Sequence, residues 1–272
     1  VTKRPWVRDA VVLVLLGAYA IPYAWQVLTS LKPEAELLRL PPLLPTRLTF
    51  EHYQVVFERS ALPRALGNSL AIALITTALV VALGFLAAYA IARLPLPAKS
   101  WLLLGVVAAT AFPQIATVSP LYLIMRAFGL RDTWTALVLA HSALGLPLVI
   151  WLLAGFIREI PAELEQAAAL DGADRGQIVR WVVLPLVAPG VASVALLTFL
   201  LSWNEFLYAY TFSATSASRT GPVALALFPG VFEVPWGDIA AASILASLPP
   251  VLIVIALQRY LVRGLLAGAL KE

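Results

Sequence analysis

The chain has 272 residues, of which 61% are hydrophobic and 12% charged, with a mean hydropathy of +0.89 and a formal net charge of +4. Soluble domains carry about 25% charged residues, so this is the composition of an integral membrane protein. The absence of cysteine excludes disulfides, thiolate metal sites and cysteine nucleophiles. The two histidines, His52 and His141, are too distant in sequence for a His-rich metal site, and without a Gly-Lys dipeptide there is no P-loop.

A charge at the bilayer centre costs about 2.5–3.5 kcal/mol, so charge-free runs mark candidate spans. In chain order these are 10–31, 65–92, 100–125, 133–157, 181–204 and 239–258. Each is long enough to cross about 30 Å of hydrocarbon as a helix, the longer ones with tilt or a kink. A β-barrel would show alternating segments of about ten residues, and none occurs. The expected fold is an all-α membrane protein of six transmembrane helices in one domain, 1–272.

The first run follows Lys3 and Arg4 and contains Ala18-Tyr19-Ala20, which resembles a cleavage site. Its apolar stretch continues to Leu31, well past the 7–15 residues of a signal core, and it is expected to remain as a span. Segment 32–64 follows, rich in proline (Pro33, Pro41, Pro42, Pro45, Pro63). It reads equally as an ordered external cap that contacts a partner or as a passive linker. Basic residues set the orientation. Placing both termini in the cytoplasm puts Lys3, Arg4, Arg8, Arg93, Lys99, Arg158, Arg175, Arg180, Arg259, Arg263 and Lys271 inside, as the positive-inside rule favours.

Segment 158–180 is the most informative inner connection. Pro161 suits the first position of a helix, Glu163 and Glu165 complement the positive end of its dipole, and Gly172 can take the left-handed conformation that ends it. A helix over 161–171 is predicted. Asp174 and Gln177 have the spacing of a capping box, so a second helix starts there, after a sharp bend. Leu164, Ala167, Ala168 and Asp171 share a face of the first helix. That face is small and acidic rather than bulky and basic, which favours docking on a protein over floating on lipid.

Gln166-Ala167-Ala168-x-x-x-Gly172, followed after nine residues by Val182-x-Leu184-Pro185, resembles the EAA loop of permease subunits in ATP-binding-cassette importers. The resemblance implies that this loop is a coupling helix seated on an ATPase subunit, with Glu165, Gln166, Ala167, Ala168, Asp171, Gly172, Leu184 and Pro185 as its residues. The family's usual Glu aligns with Gln166, so a charged contact must come from the adjacent Glu165 or be replaced by a neutral hydrogen bond. Trp203-Asn204-Glu205-Phe206 and the tail from Gln258 to Lys271 resemble the carbohydrate-uptake subgroup, in particular the six-span permease of maltose- and trehalose-type importers. A permease for another substrate, such as glycerol phosphate, stays open.

The partners implied are a second homologous permease, two ATPase subunits that bind the ATP and magnesium, an extracytoplasmic sugar-binding protein and membrane lipid, with no cofactor in this chain and no nucleic acid. Such a permease is a multi-pass inner-membrane protein and not an enzyme. Asn204, Glu205 and Tyr208 are expected to border the sugar path, with Asn68 and Gln114 as further candidates. On a continuous helix Asn204 and Tyr208 would share a face; alternatively Glu205 sits in the outer interface anchored by Trp203. In the tail 259–272, Gly264, Ala267, Gly268 and Lys271 are expected to touch the ATPases, the alternative being a frayed end. Prolines 113, 120, 185, 189, 249 and 250 read equally as hinges or passive kinks. An ion-coupled carrier is disfavoured because no Asp, Glu, Lys or Arg lies in the runs. A channel lacks a filter-like repeat or charged ring, and an intramembrane enzyme lacks a Ser/His or Asp pair.

Overall fold

All regular structure among the described residues is helical. A computed structural model describes residues 5–37, 44–228 and 234–269, with backbone alone from 259 onward. The helices are α1 (Pro5–Ser30), α2 (Glu34–Leu37), α3 (Glu51–Arg59), α4 (Leu62–Arg93), α5 (Lys99–Thr110), α6 (Gln114–Ala127), α7 (Trp134–Glu159), α8 (Ala162–Leu170), α9 (Arg175–Ile178), α10 (Leu184–Trp203), α11 (Leu207–Phe212), α12 (Gly221–Ala226) and α13 (Trp236–Ala269). A π-helical stretch, Val179–Val183, joins α9 to α10. Two compact units are present, 1–64 with 224–248, and 65–223 with 249–272.

Five of the six expected spans are single long helices, and the third is not. Run 100–125 is split into α5 and α6, which meet at 93°. The cause is local. Pro113 cannot donate to a helix and its ring pushes the preceding residue out of the α region, and Pro113 is extended (φ −67°, ψ 124°). At 1.5 Å per residue neither arm alone crosses about 30 Å, so a sixth span requires the bent pair to count as one. The fifth run also differs from expectation: its helix starts in the loop, at Arg175, and runs to Trp203. The Leu184 N–H reaches back five residues to the Val179 carbonyl, which places Pro185 just after a widened turn. Pro120, Pro189, Pro249 and Pro250 lie inside helices that continue past them.

In the larger unit α7 is the central helix. Its buried side contributes Val149, Leu153, Ala154 and Ile157 to a cluster with Val80, Ala88, Val183 and Val187. Further along, Ala136, Leu137 and Ala140 pack with Ile72, Met125, Tyr208 and Phe212. Lipid is as apolar as these side chains, so helices associate through close fit at small residues. A Cβ on Gly84 would lie 2.5 Å from Val149 Cγ1, and one on Gly190 would lie 2.7 Å from the Phe156 ring. These glycines therefore set the α4–α7 and α7–α10 approaches.

In the smaller unit the described part of segment 32–64 is ordered. His52 is buried; its Nδ1 is 2.7 Å from Asp238 Oδ1 and its Nε2 is 2.9 Å from the Lys32 carbonyl. Ser30 and Tyr53 hydroxyls are 2.8 Å apart. These contacts show that the described part of this segment is held to the rest of its unit.

The connection between α6 and α7 is fixed by Asp132. Its carboxylate accepts from the Ala214 and Thr215 N–H groups at 2.9 and 3.1 Å, and from the Thr215 and Ser218 hydroxyls, each at 2.6 Å. Burial pushes its pKa up, but these four donors outweigh burial and hold it well below the ordinary carboxylate value. A folded pKa below the unfolded value of about 3.9 gives stability that is complete above that value and lost as pH falls through the folded one. Asp132→Asn should therefore melt lower than the parent at pH 7, with the gap narrowing below pH 4. Tryptophan-fluorescence melts at both pH values check this.

Candidate functional site

The first site is the α8–α9 loop. α8 spans Ala162–Leu170, one residue shorter at each end than predicted, with Pro161 extended (φ −56°, ψ 128°) at its N-cap. At its C-terminus Gly172 N–H donates to the Ala169 carbonyl at 3.1 Å and Ala173 N–H to the Ala168 carbonyl at 3.0 Å. Gly172 has φ +89°. This is the two-bond Schellman arrangement, which needs a left-handed residue at that point. Asp174 and Gln177 form a reciprocal capping box, with bonds of 2.9 and 2.8 Å.

Glu165 is turned into the protein. Its Oε1 is 2.5 Å from Arg93 Nε and its Oε2 accepts from the Tyr89 hydroxyl at 3.1 Å; the side chains of Arg93 and Glu165 are 15% and 13% exposed. Arg93 Nη2 also donates to the Ile160 carbonyl at 2.6 Å. One guanidinium at the end of α4 thus fixes both the start of α8 and its first turn. Ala168, three residues on from Glu165, packs against the buried cluster with Ala173. The exposed positions of α8 and its cap therefore include Glu163, Leu164, Gln166, Ala167, Leu170 and Asp171, with Leu164 45% and Leu170 89% exposed. Of the face expected from spacing, Leu164, Ala167 and Asp171 are exposed, and Ala168 turns inward instead. Spacing alone cannot choose which side turns inward; the ion pair to Arg93 does. Leu184 and Pro185 are also exposed.

The second site lies where α6, α7, α10 and α11 converge. α10 ends at Trp203, and Glu205 sits in the break before α11. Its carboxylate is buried and accepts from Gln114 Nε2 at 2.7 Å, Tyr208 N–H at 2.9 Å and Ala209 N–H at 3.0 Å, with His141 Nε2 at 3.1 Å. His141 Nδ1 is 2.8 Å from the Ser202 hydroxyl, a Ser–His pair between two spans that was not expected from the sequence because its members are 61 residues apart. An imidazole protonated on Nε2 satisfies both partners. A carboxylate has about four acceptor positions, and four protein donors occupy them.

The break alters two expectations. Asn204 and Tyr208 do not share a helix face: Asn204 is exposed and bonds the Leu200 carbonyl at 2.8 Å, whereas Tyr208 is buried, stacks on Phe212 and bonds Thr117. Trp203 is not an interfacial anchor; it is buried and stacks on Phe199. Asn68 is buried and donates to the Ser216 and Arg219 carbonyls at 3.2 and 2.9 Å, fixing the loop after α11. A cavity of about 630 Å³ opens beside Glu205, with Gln114, His141, Ser202, Asn204 and Phe206 among its walls. His141 and Ser202 were missed as site residues; the one signal was a lone imidazole in a charge-free run. Lys271 lies outside the described residues; Gly264, Ala267 and Gly268 are described by their backbone alone, which continues α13.

Residues 80–267 match the family described as binding-protein-dependent transport system inner membrane component. The chain belongs to this family. It is a permease subunit of an ABC importer, a multi-pass inner-membrane protein and not an enzyme. It is 44% identical over 265 residues to the trehalose transport system permease protein of Mycobacterium tuberculosis, covering 96% of each chain. It is 40% identical over 259 residues to the sulfoquinovosyl glycerol transport system permease protein of Agrobacterium fabrum, covering 95% of this chain and 91% of that one. A bacterial ABC transporter that imports the acidic polysaccharide alginate contains a chain of the same fold, with a TM-score of 0.81 at 20% identity over 96% of this chain and 99% of that one.

The part of the permease that matches the family contains both sites. In it, Gly172→Val should strain the capped bend by about 1–2 kcal/mol, because a β-branched residue penalises the left-handed conformation. The variant permease should reach the membrane in normal amount and lose import; normal uptake would show that the bend is not needed.

Proposed function

We propose that this permease imports a glycoside, with a trehalose-like oligosaccharide as the first candidate. The reading rests on the names of two relatives that match nearly the whole chain, both of which specify a glycoside. The cavity beside Glu205 supports it, since amide, hydroxyl and aromatic groups in its walls suit sugar hydroxyls and faces. Gln114 and Asn204 are proposed to meet the sugar. Glu205 holds the helices that shape the cavity, and Tyr208 and Asn68 support it from behind.

In the same proposal the exposed face of α8, with Gln166, Ala167, Leu170 and Asp171, seats in an ATPase subunit that binds the ATP and magnesium. A second permease completes the path, two ATPases lie below, and an extracytoplasmic binding protein delivers the sugar. Both termini are cytoplasmic, and the tail containing Gly264, Ala267, Gly268 and Lys271 lies near the ATPases. Each ligand then biases an inward–outward equilibrium through its differential affinity for the two states. The test is uptake into vesicles containing the whole transporter and its binding protein. Trehalose or a related glycoside should be accumulated on ATP addition, and accumulation of none of a glycoside panel would overturn the substrate reading.

A further inference from the structure

The end of α7 that leads into α8 lies beside the start of α5, and between them is a groove of about 390 Å³. It is lined by Lys99, Ser100, Leu103, Leu104, Val107 and Arg158. The lining is graded. Lys99, Ser100 and Arg158 gather at one end, and Ser100, Leu103, Leu104 and Val107 continue along α5 at the spacing of a single helix face. Lys99 Nζ donates to the Ala92 carbonyl at 3.1 Å, and Arg158 has no side-chain hydrogen bond or ion pair among the described residues. No acidic residue lines the groove; Glu159 borders the neighbouring one, which Arg158 shares with Trp151 and Phe156. α5 has no acidic residue in its first turn and no capping side chain at Ala98. Trp101 is 74% exposed, as suits a residue at headgroup level.

We propose that this groove holds one anionic phospholipid, with its phosphate between Lys99 and Arg158 and an acyl chain along Leu103, Leu104 and Val107. A free phosphate would use the two cations and leave the aliphatic wall unused, whereas a lipid uses both. Basic pockets between membrane helices recognise anionic headgroups in this way, and each nearby cation contributes about fivefold in affinity.

The test uses the whole transporter, purified with its partner subunits and exchanged into phosphatidylglycerol or phosphatidylcholine. Native mass spectrometry should find phosphatidylglycerol retained in preference. Lys99→Gln and Arg158→Gln should each cut that retention about fivefold, with melting unchanged for Arg158→Gln. Millimolar inorganic phosphate should not displace the lipid, and a photo-crosslinker at Leu104 should label lipid. Equal retention of the two lipids, indifference to both substitutions, displacement by phosphate, or crosslinking of Leu104 to a partner polypeptide would each overturn the proposal.

Discussion

In an Arg93→Ala permease, ATP hydrolysis should continue while coupled import falls roughly 100-fold or more. The estimate comes from the Arg93–Glu165 pair, two largely buried groups at 2.5 Å. Removing one partner of such a pair costs about 3–5 kcal/mol, because the other charge is left without compensation. Here that charge is Glu165, on the first turn of α8, and the Ile160 carbonyl at the start of the loop loses its donor as well. The helix proposed to press on the ATPase would then lose its ion pair to α4 and keep only the Tyr89 hydroxyl bond to Glu165. Arg93→Lys should be intermediate, since a point ammonium cannot reach two acceptors as a planar fork does. The charge-swapped pair, Arg93→Glu with Glu165→Arg, should recover part of the import. Parallel assays of ATPase rate and sugar uptake separate this from simple misfolding, which would lower both together through lost assembly. Full coupled import by Arg93→Ala would remove the pair from the mechanism.

Glu205→Ala should be the most destabilising single change in the core of the permease. It leaves His141, Gln114 and two backbone N–H groups without their acceptor. A buried donor left unpaired costs about 1–3 kcal/mol, and here four lose their acceptor together. Glu205→Gln keeps the shape and one acceptor oxygen and should cost less. Because the protein's own donors fill the carboxylate, the loss should appear as a lower melting temperature and a lower maximal uptake rate, with the KM for sugar little changed. A raised KM in Glu205→Gln at unchanged melting temperature would place the carboxylate on the sugar instead.

What was legible in the sequence follows from range. The ends of α8 and α9 were readable because Gly172 and the Asp174–Gln177 box act within a few residues of themselves. Spans emerged from charge gaps for a similar reason, since desolvation is a property of the run itself. The bend between α5 and α6 was written in Phe112-Pro113, but counting apolar residues conceals a break that costs none. The inward side of α8 was not legible, because it is set by Arg93, 72 residues before Glu165. The Glu205 node was hidden for the same reason: Gln114 and His141 are 91 and 64 residues away. Glu205 was expected to border the sugar path and does line the cavity, but the break at Asn204 also gives its carboxylate internal partners that no local pattern announced.

The most direct test of the coupling account is a single cysteine in this cysteine-free chain, placed at Leu170, which is 89% exposed on the outward face of α8. In the assembled transporter a short bifunctional thiol reagent should join this cysteine to an ATPase subunit, and a membrane-permeant maleimide should label it slowly. The same cysteine should label rapidly once the ATPases are stripped away. Rapid labelling in the intact, active transporter, with no crosslink to the ATPase, would contradict the claim that α8 is the contact through which ATP hydrolysis drives this permease.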